Sequence, residues 1–336
     1  MPKAKSSLPE TTDRRITALV TLLAENATII ISGTRIAREI GVSRSTVWRW
    51  VQRLRELGVR AKGHPRTGYY LEKVPDLLTP DMLKTRLKGS IFGRHIHHYL
   101  KVDSTNRVAM ELGYSNVPEG AVVLAEEQTA GRGRAGRAWH SERGTGIYVT
   151  LLLRPKISPV QAPLLTMMAG LSARAAIQAQ TGLTLDLKWP NDLMLNGKKL
   201  GGILTEMHAE PAQVRFVIVG IGVNANQEKF PAELSSIATS LRAQTSRSIS
   251  RMELLVRLLR EFETDYNRFL RDGAASVTQR FESVSSYARG KRVIVSNAAE
   301  TYAGVTAGLS PEGLLRVERE SGSIVTVIAG DVREAS

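Results

Sequence analysis

The spacing of apolar residues changes along the chain, and this change limits the folds that the sequence can adopt. Between residues 16 and 57 apolar side chains recur every three or four positions, as in amphipathic helices. Residues 95–226 instead hold short apolar runs between glycine-rich loops, with one long helix predicted over 160–180. Residues 250–272 again predict a long amphipathic helix. From residue 291 short alternating runs, separated by Gly and Pro, predict a small antiparallel barrel.

The middle of the chain is expected to form a mixed sheet with helices packed against it. Regular alternation of strands and helices fails after residue 183, which disfavours a parallel doubly wound sheet. Asn196 and Gly197, between leucines, predict a two-residue hairpin turn. Five strands are predicted, over residues 121–126, 147–153, 185–189, 199–207 and 214–223. The predicted fold class is therefore α+β, with expected domains at 1–75, 76–285 and 286–336.

Positive charge is concentrated at the amino-terminal end. The chain has a net charge of +14, from 46 Lys and Arg against 32 Asp and Glu. Residues 1–75 contain 14 basic and 6 acidic residues, which accounts for more than half of the excess. Such a balance favours a polyanionic partner, although charge of this size also provides solubility.

The amino-terminal quarter has the spacing of a helix-turn-helix motif. A first helix is predicted over residues 16–23 and a second over 34–40. Gly41 then supplies a turn residue that tolerates positive φ, and Ser43 is placed to cap a third helix that runs to about residue 57. The third helix has apolar side chains on one face and basic ones on the other, as in a DNA-reading helix.

Two β-prone runs around a basic turn, over residues 59–71, predict the wing of a winged helix-turn-helix domain. The alternative is a small helical domain whose basic face is merely solvated. A connector with prolines at 75 and 80 follows. The side chains predicted to contact DNA are Thr34, Arg44, Ser45, Trp48, Arg49 and Arg66.

One loop interleaves glycine and arginine: glycines stand at 131, 133 and 136, and arginines at 132, 134 and 137. Glycines let backbone N–H groups approach a ligand, and guanidinium groups bind phosphate or carboxylate oxygens. The segment therefore predicts a mobile anion-binding loop, with an RNA-binding Gly-Arg patch or a solvated loop as alternatives. The Lys-Ser/Thr ending of a P-loop is missing, which disfavours ordinary nucleoside triphosphate hydrolysis.

A second segment, KWPND at residues 188–192, places a lysine at the end of an apolar strand, before a proline. An ammonium group there could stabilise an acyl phosphate, and Asn191 and Asp192 could hold polar groups or Mg²⁺. The alternative is an ordinary turn with a solvated lysine.

Cysteine is absent, which excludes disulfides, thiolate metal sites and cysteine nucleophiles. His95, His97 and His98 suggest a metal site, but no acid pair lies nearby in sequence, so a solvated or edge-strand role is favoured and no metal ligand is predicted. Apolar runs are too short to span a bilayer, and the first twenty residues lack a signal-peptide pattern. We expect a cytoplasmic protein without membrane contact.

Four motifs occur in order: VDSTN at 102–106, GRGRAGRAW at 131–139, KWPND at 188–192 and GIGVN at 220–224. Together they resemble the biotin protein ligases. With the amino-terminal DNA-binding domain, nearly the whole chain is similar to the bifunctional bacterial biotin ligases that also repress the biotin operon. The resemblance implies a central domain like that of class II synthetases and a small SH3-like β-barrel at the end.

The resemblance also assigns roles to individual residues. Arg134 and Lys188 are expected to act in catalysis, and the glycine–arginine loop is expected to order over biotin and its adenylate. The expected biotin-binding residues are Ser104, Thr105, Asn106, Gln128, Arg132, Gly133, Arg134 and Lys188. The expected residues for ATP or the adenylate are Gly131, Arg132, Arg137, Trp139, Asn191 and Asn224.

Ala135 departs from the family pattern, which often has a basic residue in this place. The loop therefore carries one charge fewer, and the ordering of the loop or the retention of the adenylate is expected to differ. Ligase activity is still expected, because Arg132, Arg134 and Arg137 are present.

The resemblance implies that the chain forms biotinyl-5'-AMP from biotin and ATP, with Mg²⁺ and release of pyrophosphate, and then transfers biotin to a lysine of a biotin carboxyl carrier protein. Operator DNA is the other expected partner, with biotinyl-5'-AMP as corepressor and homodimerisation on adenylate or DNA binding. Three alternatives stay open: a ligand-sensing transcription factor with an inactive ligase domain, a ligase whose DNA-binding domain has lost its operator, and a lipoyl ligase.

Overall fold

The computed structural model describes residues 14–26, 29–56, 59–64, 67–72, 76–297, 300–328 and 330–335. These residues form three sheets, of two, seven and five strands, together with α-helices. The α+β prediction is confirmed, whereas the domain boundaries at residues 75 and 285 stay predictions. In the described part of the chain no helix has the length and apolar character needed to cross a membrane.

The first sheet belongs to a winged helix-turn-helix unit, as predicted. Its elements are α1 (Arg14–Glu25), α2 (Gly33–Ile40), α3 (Arg44–Glu56), β1 (Ala61–His64) and β2 (Gly68–Leu71). Gly41 follows α2 with φ 72°, and the Ser43 hydroxyl accepts a hydrogen bond from the Thr46 amide at 3.1 Å. The tight turn and the helix cap therefore both occur where the sequence predicts them.

The wing is fixed to the helices by close backbone contacts. β1 and β2 pair antiparallel, and Ile31, just before α2, forms a bridge to Tyr69 of β2. A Cβ atom at Gly68 would lie 2.2 Å from the Ile31 carbonyl oxygen, so this position requires glycine. Arg55 Nε donates to the Ala61 carbonyl at 2.7 Å and joins α3 to β1.

The second sheet is mixed, as predicted. Its strands are β3 (His95–Tyr99), β4 (Ala121–Ala125), β5 (Gly146–Leu153), β6 (Asp186–Lys188), β7 (Asp192–Leu195), β8 (Lys198–Ala209) and β9 (Val214–Asn224). Their order is β3-β4-β5-β9-β8-β7-β6; β3 and β4 pair parallel, and the other neighbours pair antiparallel. Asn196 and Gly197, with φ of 50° and 73°, form the predicted turn between β7 and β8.

Helices cover both faces of this sheet. They are α4 (Pro80–Arg86), α5 (Thr105–Tyr114), α6 (Ala162–Thr181), α7 (Leu241–Thr245), α8 (Arg251–Asp272) and α9 (Ala275–Val284). Successive strand residues point to opposite faces: Val123 and Phe216 pack with α5, whereas Val122 and Val217 join the cluster of α6 and α8. The sequence predicts α6 and α8 but misses the other four, which are shorter.

The third sheet is antiparallel and shares its core with the central sheet. Its strands are β10 (Arg289–Ser296), β11 (Thr301–Leu309), β12 (Leu315–Arg319), β13 (Ile324–Val327) and β14 (Asp331–Glu334), in the order β13-β12-β11-β10-β14. Val293 and Val317 belong to the same buried cluster as α6 and α8. Trp189 Nε1 donates to the Gly313 carbonyl at 2.9 Å. The predicted small β unit is therefore present, with β14 as an additional strand.

A buried ionic network ties the connector to the central sheet. Arg251, at the start of α8, is fully buried and donates to Glu126 Oε2 at 2.8 Å and to the Asp76 carboxylate at 3.0 Å. Glu126 also accepts from the Leu78 amide at 2.9 Å. Burial opposes ionisation of Glu126, but Arg251 and His98 outweigh it and lower the pKa of this carboxyl to about 2. The connector is therefore anchored, through Asp76 and the Leu78 amide, to the buried ion pair of Arg251 and Glu126.

We predict that Arg251→Met lowers the free energy of unfolding by about 3–5 kcal/mol, because it leaves the Glu126 carboxylate buried without its partner. Urea unfolding at neutral pH measures this loss. In the wild-type protein, stability should fall as the pH drops from 4.5 toward 2, since the unfolded carboxyl binds its proton at a higher pH than the folded one.

Arg271→Met is the control for this variant, because Arg271 forms an exposed ion pair with Asp272. Exposed pairs contribute little to stability, so this variant should lose much less than Arg251→Met. Equal losses in the two variants would contradict the role of the buried network.

Candidate functional site

A cavity of about 470 Å³ opens where the start of α5, β8, β9 and the glycine–arginine loop, residues 131–138, meet. All predicted ligand residues except Gly131 line it: Ser104, Thr105, Asn106, Gln128, Arg132, Gly133, Arg134, Arg137, Trp139, Lys188, Asn191 and Asn224. Gly131 is buried beside the cavity, and a Cβ atom there would lie 2.5 Å from the Trp139 carbonyl oxygen. Motifs that are distant in sequence therefore meet at one place.

The first turn of α5 is bonded to Gln128 at one end of the cavity. Gln128 Oε1 accepts from the Thr105 amide at 2.8 Å and from the Thr105 hydroxyl at 3.0 Å. Its Nε2 donates to Ser141 Oγ at 2.9 Å, so the orientation of the Gln128 amide is set by its neighbours. Ser104 is the residue before α5, and Thr105 and Asn106 lie in the first turn of the helix.

Asn106 lies on the floor of the cavity and is 5% exposed. Its Nδ2 donates to the Leu204 carbonyl at 3.1 Å and to Glu206 Oε2 at 2.7 Å. The Thr150 hydroxyl donates to Asn106 Oδ1 at 2.7 Å. Each polar atom of this buried amide therefore has a defined partner.

Two glycines of β9 make room for the side chains that enter the cavity. A Cβ atom at Gly220 would lie 2.1 Å from Asn106 Oδ1, and one at Gly222 would lie 2.6 Å from the Trp139 ring. The two glycines of the GIGVN motif are therefore required because they leave space for Asn106 and Trp139. Asn224, at the end of β9, is buried and donates from Nδ2 to the Thr239 carbonyl at 3.1 Å.

The glycine–arginine loop forms a small hairpin over the cavity. The Gly133 amide donates to the Arg137 carbonyl at 2.7 Å, and residues 132 and 138 form a bridge. At its tip Ala135 has φ 53° and Gly136 has φ 72°. The left-handed conformation costs a non-glycine residue roughly 1–2 kcal/mol. Ala135, the position that departs from the family pattern, is therefore a strained point of the loop.

Each arginine of the loop contacts a different part of the molecule. Arg132 lies 3.4 Å from Glu206 on β8, and Arg137 lies 3.5 Å from Asp331 on β14. Arg134 Nη1 donates to Asn191 Oδ1 at 3.3 Å. These pairs are partly exposed and weak, so an anionic ligand can compete for the guanidinium groups.

Arg134 is partly buried, and this burial lowers the pKa of its guanidinium from the ordinary value. The positive charge of Arg137 acts in the same direction, whereas Asp192 and Asp331 raise the pKa. A desolvated cation interacts strongly with an anion that enters the same cavity.

The KWPND motif contributes a second group of charges. Lys188 ends β6, and its Nζ lies 5.8 Å from the centre of the Tyr287 ring. Asp192 pairs with Lys199 at 2.6 Å, and the Lys199 ammonium lies 5.8 Å from the centre of the Trp139 ring. The cavity is therefore lined by amide and hydroxyl groups together with several cations and an indole ring.

Comparison with known proteins gives two family models that match this chain. The Biotin/lipoate A/B protein ligase family model matches residues 99–224, and an HTH domain model matches residues 15–70. The Bifunctional ligase/repressor BirA of Bacillus spizizenii is 38% identical over 316 residues, 94% of this chain and 97% of the relative. This chain belongs to the family of bifunctional biotin ligases and repressors.

More distant family members agree with this assignment. The Escherichia coli protein of the same name is 26% identical over 94% of this chain and 95% of its own length. Among solved structures, the biotin protein ligase from Aquifex aeolicus in complex with biotin and ATP is 31% identical with a TM-score of 0.63. The match covers 72% of this chain and 100% of the Aquifex chain.

Some residues that shape the cavity of this family member are not predicted from the sequence. Thr150 and Glu206 both bond to Asn106, and Lys199 pairs with Asp192. Phe230, Leu234 and Ile237 add an apolar wall. The Lys199 amide donates to the Ile237 carbonyl at 2.8 Å, which holds this wall in place. The sequence offers one signal for Lys199 and Glu206: both lie in the segment that closely follows the KWPND motif, so they could have been expected near the same cavity.

The histidine cluster lies away from the cavity, on the edge strand β3. The edge-strand prediction is confirmed, but the expectation of a solvated cluster is wrong for His98. This side chain is buried, and its Nε2 lies 3.1 Å from Glu126 Oε1. His97 is half-buried; burial and the neighbouring His95 lower its pKa.

The helix-turn-helix unit presents most of the predicted DNA-binding residues at its surface. Thr34, Arg44, Ser45, Trp48 and Arg49 are exposed, and the Trp48 side chain is 58% exposed. Arg66 lies outside the described residues. An exposed tryptophan beside arginines suits contact with a polyanion, because Arg binds phosphate and an aromatic ring covers apolar surface.

We predict that Gly220→Ala lowers the free energy of unfolding by about 1–3 kcal/mol, because the added methyl group forces Asn106 out of its position. Gly170→Ala is the matched control: its Cβ would lie 3.7 Å from the nearest side-chain atoms, those of Ile203 and Leu187, and α6 gains a better helix former. Thermal unfolding should show a loss for the first variant and no loss for the second. Equal stability of both variants would contradict the close contact.

Proposed function

We propose that this chain is an ATP-dependent biotin protein ligase that also represses transcription, with biotinyl-5'-AMP as both intermediate and corepressor. The observation that carries the enzymatic half is the convergence of four motifs on one cavity. The winged helix-turn-helix unit and the family membership support the second half. The Aquifex relative, described with biotin and ATP, supports the same two ligands here.

We assign biotin to the end of the cavity formed by α5 and Gln128. Thr105, Asn106 and Gln128 supply polar groups whose orientations are set by their neighbours, and Ser104 adds a hydroxyl group. Such fixed donors and acceptors suit a neutral, polar ligand group, because an unpaired buried polar atom is costly. Arg132 and Gly133 of the covering loop complete this end.

The other end of the cavity is assigned to ATP and the adenylate. Trp139 offers a ring face to adenine, and its Nε1 is a buried donor without a partner in the described structure. The other residues assigned to the nucleotide, which all lie in or beside the cavity, are Gly131, Arg132, Arg137, Asn191 and Asn224.

The assigned chemistry needs cations between the two ends. A carboxylate oxygen of biotin attacks the α-phosphorus of ATP, and pyrophosphate leaves, which gives a mixed anhydride. Lys188 and Arg134 stabilise the negative charge that develops at phosphorus. The amine of the carrier lysine then attacks the anhydride carbonyl, AMP leaves, and the nitrogen releases a proton. No nucleophile of this chain is required, so Lys188 and Arg134 act by charge and position.

Mg²⁺ is proposed to enter with the nucleotide. Among the described residues, no group of three or more His, Asp or Glu could hold a metal ion by itself. Asp192 lines the cavity and is paired with Lys199. One carboxylate together with substrate phosphates is a donor set that suits Mg²⁺. When bound, the ion would reduce the repulsion between the phosphates and the attacking carboxylate.

The proposed partners follow from the same assignment. We propose that the carrier is a biotin carboxyl carrier protein, that operator DNA is bound by the winged unit, and that adenylate or DNA binding favours a homodimer. Dimers place two helix-turn-helix units on two half-sites. Sedimentation with and without adenylate tests this step, and identical monomer fractions would exclude it. A cytoplasmic location, favoured by the sequence, is part of the proposal.

Incubation with biotin, Mg·ATP and a biotin carboxyl carrier domain tests the enzymatic half. Biotin should become attached to the carrier lysine, and a carrier with that lysine replaced by arginine should not be biotinylated. A ligand-sensing factor with an inactive ligase domain would biotinylate neither carrier. Replacing biotin by lipoate separates a lipoyl ligase. An operator-shift assay, with and without adenylate, then tests the repressor half.

We predict that Lys188→Ala and Arg134→Ala each slow adenylate formation, by about 10²-fold or more, because each removes a cation from the reacting phosphate. Biotin- and ATP-dependent pyrophosphate release measures this step. Lys88→Ala, at an exposed position after α4, is the control and should keep the wild-type rate. Wild-type rates in both site variants would show that the assignment is wrong.

We also predict that Arg49→Ala weakens binding to duplex DNA, because Arg49 is exposed on the predicted reading face of α3. A lost phosphate contact should reduce the slope of log affinity against log salt by about 1. Titration at several salt concentrations measures this change. Arg257→Ala removes an exposed charge of α8 and should leave the slope unchanged. Equal slopes in all three proteins would contradict the proposed contact.

A further inference from the structure

Glu206 joins the floor of the cavity to its cover. It lies on β8, two residues after Leu204, and its side chain is 28% exposed. A single oxygen, Oε2, lies 2.7 Å from Asn106 Nδ2 and 3.4 Å from the Arg132 guanidinium. One carboxylate therefore contacts both a floor residue and a loop residue.

The contact with Asn106 determines which way its amide faces. Nδ2 donates to Glu206 and to the Leu204 carbonyl, whereas Oδ1 accepts from Thr150. Rotating the amide by a half turn would set its oxygen against a carboxylate and a carbonyl oxygen, which repel it. Gly220 leaves space for the oxygen on the other side. Glu206 therefore favours one of two orientations of a buried amide.

The contact with Arg132 is weaker. The Arg132 side chain is 48% exposed, and the pair is 3.4 Å apart. Partly exposed ion pairs of this kind contribute little, whereas a charge-assisted hydrogen bond to a buried group contributes more. The main effect of Glu206 is therefore expected at Asn106.

We propose that Glu206 is a positioning residue of the biotin end of the cavity, which fixes the amide orientation of Asn106 and holds Arg132 of the covering loop beside it. This inference rests on the proposed function, because it takes Asn106 as a biotin-binding residue. Glu206 itself is not assigned to touch the ligand: it sets the direction in which Asn106 presents its atoms.

The test is a double-mutant cycle on biotin affinity, measured by calorimetry without ATP. Glu206→Ala and Asn106→Ala should each weaken binding by about tenfold, as expected for one lost charge-assisted hydrogen bond. If Glu206 acts through Asn106, the double variant should bind within about twofold of Asn106→Ala, since coupled residues are not additive. Additive losses, or wild-type affinity of Glu206→Ala, would overturn the inference.

Glu206→Gln separates the two contacts. Its amide oxygen can still accept from Asn106, but it carries no charge for Arg132, so affinity should return to within about threefold of wild type. An affinity as low as that of Glu206→Ala would contradict the amide-orienting role. A merely structural role predicts a loss of stability without this recovery.

Glu210→Ala is the control for stability, because Glu210 forms an exposed ion pair with Arg215 just beyond β8. It should match the wild type in both biotin affinity and unfolding temperature. Failure of the inference can also be told from failure of the proposed function. If the wild-type protein does not bind biotin, the proposed function falls. If the wild type binds biotin but Asn106→Ala or Glu206→Ala binds it equally well, the proposed function stands and the inference falls.

Discussion

The cavity depends on two positions of β9 where a Cβ atom is missing. Asn106 approaches Gly220 and Trp139 approaches Gly222 at distances that leave no space for a methyl group. Because β9 is paired on both sides, with β5 and β8, it cannot move away to accept a larger residue. The missing side chains at Gly220 and Gly222 therefore determine where Asn106, at the start of α5, and the Trp139 ring can pack.

Above this floor, weak charge contacts hold the loop. Arg132, Arg134 and Arg137 reach β8, the KWPND motif and the third sheet, respectively. No single contact is strong, because the partners are partly exposed or neutral. A carboxylate or phosphate group of a ligand can therefore replace these contacts. This suits a loop whose arginines exchange protein contacts for ligand contacts. The Arg251 network differs, because Arg251 and Glu126 are both buried and paired with each other.

The sequence predicts the helices and strands that have clear apolar periods, the helix-turn-helix cap at Ser43 and the hairpin at Asn196. It misses α5, because the helix is short and because Ser104, Thr105 and Asn106, at its start, are residue types that also favour loops. It also misses Glu206 and Thr150, whose importance arises from pairing between β8, β9 and β5 rather than from sequence spacing. His98 is misjudged because its partner Glu126 is distant in sequence but adjacent across the parallel pair β3 and β4.

We propose that the loop at residues 131–138 closes over biotin and nucleotide in one cavity. Hydrogen exchange of a peptide covering residues 131–139 tests it most directly, with biotin, with ATP and with both. We expect exchange to slow with biotin and to slow further when both ligands are present, because the arginines gain anionic partners and the hairpin opens less often. Unchanged exchange in this peptide, at ligand concentrations that support biotin transfer, would show that the loop does not close over the ligands.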